Sequence, residues 1–301
     1  MERPRVISAL LLTAAALVVS SSFAVPPLGA DSAKPWWHPG PSTLRWQWEL
    51  DHPLRPTSAK DIGTNDTLPN HKVAPPPSVY DIDGIDNSAA TVAALHHRGD
   101  RAICYVEVGA AGNYYSSRAE GIPTTYYAQL RVAGDLGQKV NGYPERFVDI
   151  NRPSTVSIVE SMIKKQCADK GFDGVETDLD ETYSGAEGVV GFPLREADEI
   201  TYMKTLADFL HGLGLAWIAK NPDDTGDNFA TLIAPFADGV LTEQCNQYAT
   251  CSALDAFIGH KAIFNAEYHL ATSRFCLADK NRHINGIAFT RALNGARHPC
   301  Q

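Results

Sequence analysis

The chain lacks the spacings that announce several common chemistries. No C-x-x-C pair and no H-E-x-x-H occurs, so a zinc site has no sequence signal. No G-x-S-x-G occurs, which removes the nucleophile-elbow serine hydrolases. No glycine-rich phosphate loop follows an early strand, which counts against a nucleotide-binding sheet. Positive charge is scarce: 26 Lys and Arg stand against 35 Asp and Glu, a formal net charge of -9. A chain without a clustered basic face is a poor partner for nucleic acid. Long apolar runs are also missing, with one exception. Residues Val6–Val19 are apolar and follow Arg3 and Arg5, but the run is shorter than the ~20 residues a membrane span needs. Small residues follow, ending "SFA" at Ala24 and "LGA" at Ala30.

Residues 1–30 therefore read as a secretory signal peptide, with a membrane anchor as the alternative. After its removal no stable membrane insertion is expected, and the protein is expected to be secreted. Arg3, Arg5 and Glu2 leave with it, so the formal charge moves from -9 to -10. That acidity suits a cationic or neutral partner, and it also aids solubility by itself. Six cysteines remain: Cys104, Cys167, Cys245, Cys251, Cys276 and Cys300. An even count in an exported chain favours disulfides, and six cysteines allow 15 pairings. Cys245 with Cys251, and Cys276 with Cys300, are candidate pairs.

Residues 31–43 hold Pro and Trp and read as an extended segment; residues 44–301 read as one catalytic domain. Short apolar runs recur through it: 44–50, 78–83, 101–109, 171–178, 215–220, 238–243, 261–268 and 286–290, with 146–150 as a shorter extra. Amphipathic segments lie between them. "TVAALHHRG" ends at Gly99, a helix-stop signal. Residues 153–171 carry Val156, Val159, Ile163 and Cys167 at helical spacing, and residues 195–214 carry Ile200, Met203, Leu206 and Leu210. Strand and helix alternating predict a parallel sheet with helices outside, and eight strands suit an α/β fold of the (β/α)8 TIM-barrel type. An open doubly wound sheet is the alternative.

The strand candidates start apolar and end polar, as in "VYDID", "DGVETD", "GVLTEQ" and "FNAEY". In a barrel those ends meet at one face, where active sites sit. That face would gather Asp81, Asp83, Glu107, Glu176, Asp178, Asp180, Glu243 and Glu267, with Lys220 as the cation among them. Crowded carboxylates split their pKa values, and glycoside hydrolysis needs one protonated acid beside one carboxylate. Trp46, Trp48, Tyr80, Tyr105 and Tyr268 could stack on sugar rings, or simply fill the barrel. Asp149 and Asp173 are expected to fix loops, and Glu181 to be solvated. Asp178 and Glu243 end strong strand patterns and are the leading catalytic candidates.

The motifs "WQW", "VYDID", "ICY", "GFDGVE", "LAWIAKN", "EQC" and "AEY" appear in that order between Leu44 and Phe289. This series resembles glycoside hydrolase family 114, the endo-α-1,4-polygalactosaminidases. The resemblance implies a secreted barrel hydrolase, needing no cofactor or metal, that cuts α-1,4-linked galactosamine polymers. It places the family's two acidic catalysts on Asp178 and Glu243, with Asp178 as nucleophile and Glu243 as general acid/base in an endo-acting, retaining reaction. Its substrate is a cationic amino-sugar polysaccharide, with Trp46, Trp48, Asp81, Asp83, Tyr105, Glu107, Glu176, Asp180, Lys220, Asn221, Glu267 and Tyr268 expected around it. The chain departs from the family pattern at Thr177 and Leu179, which replace Pro and Asn, and at Glu107, an added acid. Two other readings stay open: a non-catalytic carbohydrate-binding barrel, and a metal-dependent phosphodiesterase suggested by "HHRG" and the Glu176-x-Asp178 spacing.

Overall fold

The structure, a computed structural model, describes residues 35–41, 43–113, 123–179, 190–224 and 228–301. The expected signal peptide lies outside these residues, as do Asp180 and Glu181. The chain forms β1 (Trp46–Glu49), then β2 (Val79–Asp83), α1 (Ala89–His97) and β3 (Arg101–Glu107). An excursion follows through β4 (Ala110–Gly112), α2 (Pro123–Ala133), β5 (Leu136–Lys139) and β6 (Glu145–Val148). Then come α3 (Pro153–Ile163), β7 (Gly174–Asp178), α4 (Glu196–Leu213), β8 (Ala216–Lys220), α5 (Phe229–Ile233) and β9 (Gly239–Glu243). The chain finishes with α6 (Cys245–Tyr248), β10 (Ala262–Glu267), α7 (Thr272–Asn281), β11 (Asn285–Phe289) and β12 (Arg297–Pro299).

Local chemistry sets several of these boundaries. Ser88 Oγ accepts the backbone N–H of Thr91 at 3.2 Å and starts α1. Pro153 opens α3, where its missing N–H costs nothing. Asp198 Oδ2 reaches back to the N–H of Arg195 at 3.0 Å to start α4, and Gly214, at φ 77°, ends it in the left-handed conformation.

Among the described residues, eight strands pair in parallel in the order β1, β2, β3, β7, β8, β9, β10, β11. The eight expected strands are these eight, and the fold is the (β/α)8 barrel. β6 matches the shorter extra candidate, but it belongs to a small antiparallel sheet, β4-β6-β5, inserted after β3. The two faces of the barrel strands separate cleanly. Trp46, Trp48, Val79, Ile103, Ile218, Leu241, Phe264 and Ile287 pack together inside the barrel. The neighbours one residue along, such as Tyr80, Cys104, Val175, Trp217, Val240 and Ile263, pack outward with the helices.

β1 and β11 are not paired with each other. The seam between them is filled by the C-terminal segment, with β12 antiparallel to β11. Leu44 N–H donates to Asn285 Oδ1 at 2.7 Å, Trp46 Nε1 to the Asn285 carbonyl at 2.8 Å, and Leu50 N–H to the Leu293 carbonyl at 2.9 Å. Arg297, buried, donates through Nη1 to the Trp46 carbonyl at 2.6 Å and through Nε to Asp66 Oδ2 at 2.7 Å.

Three disulfides join Cys104–Cys167, Cys245–Cys251 and Cys276–Cys300, including both candidate pairs. The extended segment is tied to the barrel at Asp238, which precedes β9. Trp36 Nε1 and the His38 ring both meet Asp238 Oδ1 at 3.1 Å, and Trp36 stacks on His211 at 4.2 Å.

Arg297→Met should destabilise the fold by about 3–5 kcal/mol, because it strands the Asp66 carboxylate and the Trp46 carbonyl in the seam. Urea unfolding of the variant against the parent measures this; a loss below ~1 kcal/mol would mean that the seam is held by other groups.

Candidate active site

The strand ends of β7, β8 and β9 deliver the centre of the site. Asp178, Lys220 and Glu243 are the last residues of those three strands. Each is followed by a non-glycine residue in the left-handed region: Leu179 at φ 55°, Asn221 at φ 43° and Gln244 at φ 62°. Asn tolerates that conformation, whereas Leu and Gln adopt it at a cost of order 1–3 kcal/mol. The turn directs the Leu179 N–H onto Asp178 Oδ1 at 3.0 Å.

Lys220 is buried and its Nζ is surrounded by acids. It lies 2.8 Å from Asp178 Oδ1, 3.2 Å from Glu243 Oε2 and 3.5 Å from Glu176 Oε1. The Trp48 ring lies 5.2 Å below it. Burial opposes the charge on Lys220, but Asp178, Glu243 and Glu176 outweigh it and hold the ammonium well above its ordinary pKa. Asp178 also accepts from Tyr105 OH, at 2.6 Å on Oδ2. Burial pushes the Asp178 carboxyl up; the Lys220 charge, with hydrogen bonds from Lys220, Tyr105 and Leu179, pulls it to a net value below the carboxylate norm.

Glu243 is held on both sides. Asn221 Nδ2 donates to Glu243 Oε2 at 3.1 Å, the Glu243 N–H donates to Asn221 Oδ1 at 2.9 Å, and Tyr268 OH donates to Glu243 Oε1. Since Lys220 Nζ lies 2.8 Å from one oxygen and 3.2 Å from the other, Asp178 Oδ1 and Glu243 Oε2 are at most 6.0 Å apart, the sum of the two distances. Both carboxylates line an open cleft of about 390 Å³, within the usual size of a small-ligand site.

The structure sorts the expected residues into two groups. Trp48, Tyr105, Glu107, Asp178, Lys220, Asn221, Glu243 and Tyr268 line the cleft. The expectation of substrate contact is corrected for five others. Trp46 sits one pleat deeper in the barrel and donates to the Asn285 carbonyl. Asp83 is buried and accepts the N–H groups of Ile85 and Asp86, closing the turn after β2. Glu267 points outward, where Asn246 N–H and Asn265 Nδ2 reach it at 2.8 and 3.2 Å. Asp81 and Glu176 face inward but lie wholly buried beneath Lys220, with no hydrogen bond to any carboxylate oxygen. Burial raises both well above the ordinary carboxylate range, Lys220 opposes this, and Asp178 adds to it.

Sequence reading missed Tyr143, Glu145, Asp224, Gln244, Tyr248 and Arg291, all of which line the cleft. Glu145 opens β6 of the inserted sheet and Tyr143 lies in the turn before it, and no strand–helix repeat announces either. Gln244 carried a signal, being next to Glu243 in the "TEQC" motif. Asp173, expected to fix a loop, accepts from Arg101 Nη1 at 2.5 Å and from Ala102 N–H at 2.9 Å. It also meets His96 at 2.9 Å, which places "HHRG" at the start of β3, the opposite end of the barrel from the cleft. The metal-dependent reading loses its histidines there, and Lys220 occupies the space between Glu176 and Asp178. The described residues do hold one cluster of potential metal ligands, Glu49, His52 and Asp61. Asp61 already accepts from Arg55 Nε at 2.8 Å, Arg55 Nη2 at 2.9 Å and Ser58 Oγ at 2.8 Å.

The profile of glycoside-hydrolase family GH114 matches residues 27–301. The chain belongs to this family. It is a GH114 glycoside hydrolase, and several solved structures share its fold. Ega3 of Aspergillus fumigatus, solved in complex with galactosamine, is 23% identical over 89% of this chain and 98% of its own, with a TM-score of 0.70. The glycoside hydrolase domain of PelA from Pseudomonas aeruginosa is 14% identical over 83% and 96%, with a TM-score of 0.54. Morphinone reductase, in complex with tetrahydroNAD, reaches a TM-score of 0.50 at 10% identity over 82% of each chain. A barrel alone therefore does not specify the reaction. No curated protein matches the GH114 chain, and no described helix is long and apolar enough to cross a membrane.

Burial also sets a pH dependence of stability. Burial raises Glu49 to about 7, with His52 opposing and Asp61 reinforcing; burial and the Asp178 charge raise Glu145 to about 7; burial raises Asp279 to about 6. Between the ordinary carboxylate value and these raised values, the folded chain binds protons that the unfolded chain has released. Stability from these groups therefore falls as pH rises through that window. Asp61 and Asp178 carry the opposite sign, but their stabilisation is complete above the unfolded carboxylate pKa. The unfolding temperature should thus decline from about pH 5 to about pH 7. Circular dichroism melts across that range measure it, and Glu49→Gln should flatten the slope; a melting temperature that rises with pH would overturn the assignment.

Proposed function

We propose that this GH114 protein is an exported hydrolase that cleaves α-1,4-linked galactosamine polymers internally, with retention at the anomeric carbon. The observation that carries the reading is the pair of carboxylates on one ammonium, no more than 6.0 Å apart between facing oxygens and open to one cleft. Retaining glycosidases place their carboxyls about 5–5.5 Å apart, and inverting ones about 6.5–9.5 Å. The galactosamine held by Ega3 supports the sugar, and the acidic chain suits a polymer of ammonium sugars. The apolar, arginine-led N-terminus and three disulfides support export.

In this reading the two carboxyls take different roles, which the contacts around each support. Asp178, ionised by Lys220, Tyr105 and the Leu179 N–H, attacks the anomeric carbon. Glu243, aimed by Asn221 and Tyr268, gives its proton to the leaving glycosidic oxygen as that bond breaks. Asp178 is then esterified and its charge is gone. The Lys220 ammonium faces the Glu243 carboxylate, which takes a proton from water. The resulting hydroxide equivalent attacks the anomeric carbon, and Asp178 leaves as carboxylate.

Asp178→Asn and Glu243→Gln should each lower kcat by about 10²–10⁴-fold with the fold intact. Mass spectrometry of products from de-N-acetylated galactosamine polymer, compared with chitosan, tests the substrate. Proton NMR of the first product tests the stereochemistry: the α-anomer is expected, and an initial β-anomer would show inversion. Lys220→Met should shift the acid limb of the kcat profile to higher pH, because Asp178 loses the charge that lowers its pKa. An unmoved limb would show that Asp178 is not the ionised partner.

A further inference from the structure

One buried acid at the cleft has no task in the mechanism above. Glu145 opens β6 of the inserted sheet and lines the cleft, yet it is only 6% exposed. Its carboxylate has no hydrogen-bond or ion-pair partner among the described residues. Its strongest charged neighbour is another acid, Asp178, which repels it. A nearly buried carboxyl with no partner is costly, and such groups are usually satisfied by protein, water or ligand. The cleft is the open side from which a partner can arrive.

We propose that Glu145 binds the C2 ammonium of the galactosamine unit seated over Asp178, and so selects a free amine over an N-acetyl group. The inference rests on the galactosaminidase reading and names the residue that enforces it. Three features converge. Asp178 is aimed at the anomeric carbon, and C2 is bonded to that carbon, so the amine of the same sugar falls beside Asp178. The ammonium supplies the donors and the positive charge that Glu145 lacks. Tyr143, two residues earlier and 60% exposed, lines the same cleft and offers an aromatic face to the sugar. An N-acetyl group is neutral and directs a carbonyl oxygen where a donor is needed, leaving Glu145 unpaired. The raised pKa of Glu145 fits this arrangement, since an arriving ammonium favours the carboxylate.

The experiment measures kcat/KM of the full chain on fully deacetylated and partly N-acetylated galactosamine oligomers, with mass-spectrometric mapping of products. The parent enzyme should cut only where the unit donating the new reducing end carries a free amine. Glu145→Gln should lower kcat/KM on the deacetylated oligomer about tenfold or more, and reduce the ratio of deacetylated to acetylated turnover by a similar factor. Glu145→Asp should keep part of that ratio. A purely structural role would lower both activities together and leave the ratio unchanged. An unchanged ratio in a Glu145→Gln protein that melts like the parent overturns the proposal. So does a parent enzyme that accepts acetylated units at that position, a result that needs no variant. If the parent cuts none of these oligomers, the galactosaminidase reading itself fails, and that outcome is distinct from a change in preference.

Discussion

The Lys220 ammonium is the interaction on which the site depends. It enters from the middle of three adjacent strands and satisfies acids on both sides and one below. Without it, four carboxyl groups on β2, β7 and β9 would face one another in a largely dry interior. With it, they separate into different states. Asp178, touching the cation and two further donors, is held below the ordinary carboxylate range; Asp81 and Glu176, deeper and without hydrogen bonds, are pushed well above it by burial. One buried cation thus turns a cluster of similar groups into an ordered stack: two acids of raised pKa at the base, the ammonium above, and two carboxyls at the mouth. The barrel supplies the geometry by ending three strands at the same level, and the left-handed residues after each strand release the chain without pulling those side chains aside.

Much of this was legible in the sequence because a barrel repeats two simple patterns. Short apolar runs marked all eight parallel strands, and the last residues of three of them marked Asp178, Lys220 and Glu243. The errors came from using the strand end without its pleat. Glu267 ends β10, but Ala266 is the inward residue there, so the acid faces outward to α6 and α7. Trp46 is inward but two residues below Trp48, which places it a layer beneath the cleft. Asp83 looked like a mouth residue and instead closes its own turn. Alternation along each strand would have flagged Glu267; depth along the barrel axis was not readable from a one-dimensional pattern.

The inserted sheet was not readable for a different reason. Its three strands are three or four residues long, and their pairing partners are set by tertiary contact. Glu145 follows Pro144 in a stretch with no periodicity, so nothing local separates it from a solvated loop acid. The barrel holds the two candidate catalysts in its repeating part and receives further cleft-lining residues from its insertion, which is where sequence rules of thumb have least purchase.

The unpaired edge between β1 and β11 has a consequence for how the molecule is made. Its filler, residues 293–301, follows all eight parallel strands in the sequence, and it holds the first of them through Trp46, Gln47 and Leu50. The cylinder cannot shut around its own beginning until that segment has been made, so closure of the barrel waits on contacts between stretches far apart in the chain.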